Sequence, residues 1–183
     1  PPHNLVEVVD ALVHIIEHPK ATSEDLMQFV KGPDFPTGGA IYGKKDIIQA
    51  YASGRGPMVV RGIADIVEAK PYSAKASRGE GFQIIIKEIP YQVNKGTMLE
   101  HLAELVKEKK IEGIKDIRDE SDRDGIRIMI ELRNDAYPQK VLNKLYKLTD
   151  LQKTFHMNML ALVDGIQPQV LPLKSVLEHY LRH

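Results

Sequence analysis

The order of apolar patterns between residues 82 and 163 restricts the fold of this chain more than any other feature. Two segments repeat apolar residues at helical spacing, and the segments around them are rich in Val and Ile, as strands are. Thr97 and Glu100 have the spacing of a capping box, and Asp124-Gly125 is a strong hairpin signal. The predicted strands span 82–89, 114–118, 126–132 and 155–163, and the predicted helices span 97–110 and 141–148. This β-α-β-β-α-β order predicts an α+β fold with a split-βαβ sheet that carries its helices on one face.

The rest of the chain predicts shorter elements. A helix capped by Asn4 ends before Pro19, and a second helix, capped by Thr22 or Ser23, ends at Gly32. Further predictions are a helix over 44–52, strands over 58–61 and 63–67, and a polar connection over 70–81. The C-terminal helical stripe has no partner in the chain and comprises Leu173, Val176, Leu177, Tyr180 and Leu181.

Composition and charge narrow the class of protein. Apolar residues make up 43% and charged residues 27% of the 183 residues, as in ordinary globular proteins. No apolar run approaches the roughly 20 residues that span a bilayer, so no membrane partner is expected. The absence of cysteine excludes disulfides and thiolate chemistry, and it favours a cytoplasmic location. The start at Pro-Pro-His-Asn, without Met or a signal sequence, leads us to expect an excised fragment.

The net charge of zero hides an uneven distribution. Residues 1–40 carry six acidic and two basic side chains, whereas residues 41–95 carry nine basic and five acidic ones. In that middle stretch, cationic side chains and the backbone amides that glycines leave accessible can donate hydrogen bonds to phosphate oxygens. The pattern predicts positional, salt-dependent binding to nucleic acid, with a merely solvated basic face as the alternative. The cations concerned are Lys44, Lys45, Arg55, Arg61, Arg78 and Lys95.

Three other signals fail on spacing. The glycine-rich stretch 31–43 looks like a phosphate cradle, but Gly39 to Lys44 does not match a P-loop. Residues 120–131 nearly copy a calcium-binding loop, yet their flanks are strand-like, so a charged hairpin turn is the better interpretation. The histidine pairs at 14/18 and 179/183 lack a third ligand. We therefore predict no metal site and no nucleotide site in this chain.

Several short sequence motifs in the chain together point to one family. They are PPHN at 1–4, GPDFPTGG at 32–39, AYASGRG at 50–56, EIPYQVNK at 88–95, EKKIEGI at 108–114, RDESDRDG at 118–125, LYK at 145–147 and NMLALVDG at 158–165. In this order they resemble the breakage-reunion subunit of bacterial type IIA topoisomerases, the family of the DNA gyrase A protein and its topoisomerase IV counterpart. The resemblance covers nearly the whole chain but does not distinguish gyrase from topoisomerase IV.

The resemblance implies a domain organisation. It places the chain just after a winged-helix region, within the tower domain, and ending as a coiled-coil arm begins. The expected segments are N-terminal helices over 1–32, a first part of the tower with the basic stretch over 33–81, a split-βαβ subdomain over 82–165 and the start of the arm over 166–183.

The resemblance also implies a function for the parent protein: ATP-dependent passage of one DNA duplex through another by means of a tyrosyl-phosphate intermediate. The catalytic Tyr lies upstream of this chain in the family, so no catalytic residue is expected here and the fragment alone should be inactive. ATP and Mg²⁺ are expected on the partner subunit. The implied partners are duplex DNA, a second copy of the gyrase A-type protein and an ATPase subunit of the gyrase B type.

The resemblance and the charge pattern together select candidate phosphate contacts. Lys44, Arg55 and Arg61 are the first choices. A secondary set comprises His3, Asn4, Lys45, Asn94 and Lys95. Without the resemblance, the alternative is an α+β module that binds RNA or protein on its sheet, although the sheet lacks the aromatic-rich words of RNA-recognition motifs.

Overall fold

The computed structural model describes residues 1–68 and 81–183, and within these ranges the chain forms six helices and nine strands. In chain order they are α1 (Leu5–Glu17), α2 (Ser23–Leu26), β1 (Ala40–Tyr42), α3 (Lys44–Ser53), β2 (Arg55–Arg61), β3 (Ile63–Glu68), β4 (Phe82–Glu88), α4 (Lys95–Lys107), β5 (Ile114–Asp119), β6 (Ile128–Leu132), α5 (Pro138–Leu148), β7 (Gln152–Asn158), β8 (Leu160–Val163), β9 (Gln167–Val170) and α6 (Leu173–Arg182). This mixture of helices and antiparallel sheets confirms the α+β class. Arg78 and nearly all of the predicted connection over 70–81 lie outside the described residues. No helix in the described ranges has the length and apolar character needed to cross a membrane.

The chain divides into two compact units. The first unit comprises Pro1–Pro36, Ile41–Val59 and Thr154–His183, and the second comprises Thr37–Ala40 and Val60–Lys153. Each unit has its own cluster of buried apolar side chains. The four-segment division expected from the sequence stays a prediction.

The core of the first unit is formed by helices α1, α2, α3 and α6. α1 begins as predicted, because the Asn4 Oδ1 accepts the N–H groups of Val6 (3.0 Å) and Glu7 (3.2 Å). Leu173 and Leu177 of α6 are buried in this core, whereas Tyr180 is exposed. The prediction of a wholly unpartnered C-terminal stripe is therefore wrong for its first turns, which pack within the unit.

The second helix is shorter than predicted. Thr22 caps it through a capping box with Asp25, but α2 ends at Leu26 rather than at Gly32. The N–H groups that follow bond three residues back, as in Phe29 to the Leu26 carbonyl at 3.1 Å, so the segment tightens into turns. Leu26 and Val30 are still buried, which keeps the predicted apolar face.

The four-stranded sheet of the second unit has the order β3-β4-β6-β5, and every neighbouring pair is antiparallel. β6 lies between β4 and β5, as a split-βαβ arrangement requires. One face of the sheet packs on α4 and α5. The apolar cluster between them includes Ile84, Ile86, Ile128 and Ile130 from the strands and Met98, Leu102, Val141 and Leu145 from the helices.

The fourth strand of this sheet differs from the prediction. The segment predicted as one strand over 155–163 divides at Met159, whose N–H donates to the Gly54 carbonyl (2.8 Å) and whose carbonyl accepts from Leu171 (3.1 Å). The part before Met159, β7, joins the sheet β1-β2-β7, and the part after it, β8, pairs with β9. β3 occupies the edge beside β4 instead, in register from Ala64↔Ile86 to Glu68↔Phe82.

The segment that resembles a calcium loop is a hairpin turn, as predicted. Asp122 and Gly125 form an antiparallel bridge between β5 and β6. Glu131, which would be the last ligand of such a loop, instead accepts from the Lys115 Nζ at 2.6 Å.

Candidate nucleic-acid interface

Three of the predicted phosphate contacts lie at the two ends of helix α3 in the first unit. Lys44 and Lys45 are its first two residues, and Arg55 follows it at the start of β2. All three side chains are exposed, and no carboxylate among the described residues forms an ion pair with them. Because a helix rises about 1.5 Å per residue, the two cationic ends are roughly 15 Å apart.

Glycines at both ends place these cations. Gly43 precedes the helix with a φ of 93°, and Gly54 ends it with a φ of 81°. A Cβ at Gly54 would overlap the Leu171 carbonyl, so a larger residue does not fit there. Ile47 and Tyr51 bury the opposite face of α3 in the core, which leaves its ends at the surface.

Arg61, in the second unit, is half-buried and has structural partners. Its Nε donates to the Gln152 Oε1 at 2.6 Å, and its guanidinium carbon lies 5.0 Å from the centre of the Tyr146 ring. The Tyr146 hydroxyl in turn donates to the Gly62 carbonyl at 3.1 Å. Arg61 thus ties the end of β2 to β7 and α5, a role that the sequence does not indicate.

His3 and Tyr51 form a pair inside the first unit. The His3 Nε2 lies 2.7 Å from the Tyr51 hydroxyl, and the Nδ1 lies 3.2 Å from the Pro1 carbonyl oxygen. Since that carbonyl can only accept, the Nδ1 carries the proton and the Tyr51 hydroxyl donates to the Nε2. Burial lowers the pKa of His3 below its usual range, so the ring is neutral at pH 7 and offers a phosphate no cation.

The other secondary candidates also have local partners. The Asn4 side chain caps α1, and the Asn94 Oδ1 caps α4 by accepting the Thr97 N–H at 3.1 Å. The predicted capping box at Thr97 is therefore wrong by three residues: Asn94 is the cap because its oxygen satisfies a free amide of the first turn. Lys95 pairs with Asp119 at 2.7 Å, and its hydrogen bond is the main reason that the pKa of Asp119 falls to about 2.

The glycine-rich stretch 31–43 is not arranged as a phosphate cradle. The Gly39 N–H donates to the Glu88 carboxylate at 2.5 Å, within the second unit. Gly38 and Gly39 have positive φ values of 74° and 95°, and a Cβ at Gly39 would lie 2.9 Å from the Arg61 carbonyl oxygen. The Gly39 amide thus stabilises the fold by binding a carboxylate. This agrees with the prediction, made from the spacing of the glycines, that the stretch is not a P-loop.

Comparison with known proteins identifies the chain. The family model for the A subunit of DNA gyrase/topoisomerase IV matches residues 1–183. The chain belongs to this family. It is 52% identical over 181 residues to the DNA gyrase A protein of Dehalogenimonas lykanthroporepellens, a match that covers 99% of this chain and 21% of that protein. It is 50% identical to the DNA gyrase A protein of Pseudomonas aeruginosa over 183 residues, all of this chain and 19% of the relative.

An organellar relative is equally similar. The probable chloroplastic/mitochondrial DNA gyrase A protein of Oryza sativa is 51% identical over 181 residues, 99% of this chain and 18% of the relative. The chain of this gyrase A/topoisomerase IV A family member therefore spans about a fifth of the length of the curated relatives it matches.

Tyr51 is fully buried, and burial, followed by the charges of Glu7 and Asp34, raises the pKa of its hydroxyl beyond the usual range. A phenol held neutral inside the core and bonded to His3 cannot reach a DNA phosphate. Sequence reasoning missed this pair, because 48 residues separate its members and no local pattern links them.

Proposed function

We propose that this chain is the part of a type IIA topoisomerase A subunit that scaffolds the gate duplex and contacts its phosphate backbone. The single observation that carries the proposal is the family match over the whole chain. The exposed cations at the two ends of α3 support it, because they are what a backbone-tracking surface requires. The chain corresponds in this proposal to the tower, and the catalytic tyrosine lies in another part of the parent protein.

The parent protein, in this proposal, changes DNA topology by ATP-dependent double-strand passage. The ATP and Mg²⁺ belong to a partner subunit of the gyrase B type, while a second gyrase A-type protein completes the assembly in the cytoplasm. Whether the parent acts as gyrase or as topoisomerase IV makes no difference to the role of the residues described here.

The geometry of α3 suits contacts to two strands of a duplex. Its ends are roughly 15 Å apart, which is comparable to the width of about 12 Å of the DNA major groove. Lys44 at one end and Arg55 at the other can therefore contact phosphates on opposite sides of a groove. Strong bending of DNA costs on the order of several kcal/mol, and such contacts offset part of that cost.

The test is the salt dependence of binding to a fluorescently labelled duplex of about 30 bp, measured by anisotropy between about 50 and 200 mM salt. We expect Lys44→Ala and Arg55→Ala each to weaken binding and to reduce the slope of log K against log salt by about 0.9. Lys20→Ala is the matched control, since Lys20 is an exposed lysine of the same unit that lies outside the predicted set.

Two results would reject the proposal. One is that Lys44→Ala and Arg55→Ala bind like Lys20→Ala. The other is that structured RNA displaces the duplex at a lower concentration than unlabelled DNA does, which would favour an RNA-binding module instead.

Arg61 needs a variant that separates charge from structure. Arg61→Lys keeps the positive charge but loses the Nε bond to Gln152. If Arg61 contacts a phosphate, Arg61→Lys keeps the wild-type salt slope, whereas Arg61→Ala reduces it by about 0.9. Both variants should lower the free energy of unfolding by about 1 kcal/mol, because the bond to Gln152 is lost in both.

A further inference from the structure

A cavity of about 450 Å³ lies in the second unit, and none of the residues proposed to contact DNA lines it. Its walls come from the end of α4, the turn at Gly113, the loop after β6 and the first two turns of α5. The volume falls within the range of about 300 to 1,000 Å³ that is typical of small-molecule sites. Nothing in the family resemblance assigns a ligand to this cavity.

The cavity is lined by four cationic side chains and by two carboxylates. The cations are Lys109, Arg133, Lys140 and Lys144, and the acids are Glu112 and Asp135. Several other cations of this unit are paired at the surface, as in Lys115 with Glu131 at 2.6 Å and Arg127 with Glu120 at 3.2 Å. No described carboxylate lies within 4.0 Å of the four cavity cations, so their excess positive charge is not neutralised locally.

The backbone around the cavity is held in place before any ligand arrives. The Arg133 N–H donates to the Gly113 carbonyl at 2.8 Å, and the Ala136 N–H donates to the Arg133 carbonyl at 3.0 Å. Gly113 has a φ of 90°, and a Cβ there would lie 2.8 Å from the Ala136 Cβ, so the turn tolerates only glycine. The Lys144 Nζ donates to the Lys110 carbonyl at 3.2 Å, which holds that ammonium group at the wall.

The start of α5 adds to the positive field. Lys140 and Lys144 are four residues apart and therefore share one face of this helix. The N-terminal residue Tyr137 makes no side-chain cap, and Pro138 at the first helical position has no N–H. No side-chain cap offsets the partial positive charge of the helix N-terminus at the cavity edge, which Tyr137, Lys140 and the carboxylate of Asp135 line.

We propose that this cavity binds a small polyanion that carries two adjacent phosphate groups. The four cations outnumber the two carboxylates by two, so the cavity favours an anion with more than one negative charge. The guanidinium of Arg133 can bind one phosphate group in a bidentate manner, while the lysines act as point charges on the second. A monovalent anion would leave half of this excess charge unmatched. The proposal does not depend on the DNA contacts, since Lys44 and Arg55 belong to the first unit.

The probe is inorganic pyrophosphate, titrated into the 183-residue chain in a calorimeter at constant ionic strength, with sodium nitrate as the monovalent comparison. We expect saturable binding of one pyrophosphate per chain and no saturable binding of nitrate. The double variant Arg133→Ala/Lys140→Ala should raise the dissociation constant at least about tenfold, because two charge-assisted contacts are lost. Lys87→Ala, which removes an exposed and ion-paired lysine of β4 in the same unit, should bind as the wild type does.

Because Arg133 and Lys140 are exposed, the double variant should keep the wild-type far-ultraviolet circular dichroism and melting temperature. A single-charge reversal, Lys140→Glu, serves as a second variant and should also weaken binding.

The absence of saturable pyrophosphate binding overturns the proposal, as does a double variant that binds like Lys87→Ala. Displacement of pyrophosphate by duplex DNA, with DNA binding itself lost in the double variant, overturns it too, because the cavity is then a DNA backbone contact. None of these outcomes changes what is expected of Lys44→Ala and Arg55→Ala.

Discussion

At the scale of single residues, His3 shows how a motif residue can serve the fold. In its neutral form it satisfies two groups at once, since its Nδ1 donates to the Pro1 carbonyl and its Nε2 accepts from Tyr51. Protonation of the ring turns Nε2 into a donor, so the buried Tyr51 O–H loses its acceptor and the pair must reverse its hydrogen bond. Burial also disfavours the charged ring and is the main cause of the lowered pKa of His3.

This pair predicts that stability depends on pH. Because burial lowers the pKa of His3 in the folded chain, the unfolded chain binds more protons as the pH falls below the unfolded value of about 6.5. We expect the free energy of unfolding in urea to decrease between about pH 7.5 and about pH 5.5. Asp119 does not contribute in this window, since its lowered pKa of about 2 affects stability only near and below about pH 4.

The variants that test this are His3→Gln and His156→Gln, the second being an exposed histidine of the same unit. The pH dependence should shrink in His3→Gln and persist in His156→Gln. An unchanged pH dependence in His3→Gln would show that the pair does not control stability.

At the scale of elements, the start of α4 depends on one side chain that was also a candidate DNA contact. Asn94 caps the helix, and the neighbouring Lys95 bonds to Asp119, so both have roles within the second unit. The word EIPYQVNK, which ends in these two residues, thus has a structural explanation that requires no DNA.

We expect Asn94→Ala to lower the free energy of unfolding by about 1 kcal/mol, because a free amide of the first turn loses its acceptor. Thr97→Ala, at the position that the sequence pattern favours as the cap, should change it by only a few tenths of a kcal/mol. Urea unfolding measures both. Equal effects of the two substitutions would contradict the assignment of the cap, and a loss of DNA affinity in a fully stable Asn94→Ala variant would restore Asn94 as a phosphate contact.

At the scale of the whole molecule, the family model matches the chain over its full length, and the chain spans about a fifth of the length of its relatives. The proposed function assigns the nucleophilic tyrosine to another part of the parent protein, and Tyr51, the one fully buried tyrosine among the described residues, is bonded to His3. Binding and strand cleavage should therefore separate in this chain.

We expect the purified chain to retard supercoiled plasmid in a gel at low salt but to leave its topology unchanged. After incubation with Mg²⁺ and protease treatment, the plasmid should show no nicked, linear or relaxed product. A complete type IIA enzyme run in parallel supplies the positive control. Relaxation by the chain alone would mean that a tyrosine within it acts as the nucleophile.

Local patterns in the sequence determine most of the elements. The helical spacing of α1, α3, α4 and α5, the Asp124-Gly125 turn and the Val- and Ile-rich strands β3, β4 and β6 all follow from interactions between near neighbours along the chain. The sequence motifs of the family are also local, because each is a short contiguous segment that can be recognised without the tertiary structure. The resemblance and the local charge pattern selected Lys44 and Arg55, which are exposed, and their contacts with phosphate stay a prediction.

Which segments meet depends on packing between residues that are far apart in the chain. β3 and not the segment 155–163 completes the sheet beside β4, Glu88 binds the Gly39 amide, and Arg61 packs on Tyr146. The cavity beside α5 likewise collects its cations from separate segments of the chain. The sequence pattern describes which face of an element is apolar and where it ends, but many partners could satisfy that face equally well. The choice among them depends on the packing of the whole unit, in which each backbone donor and each apolar surface can be used only once.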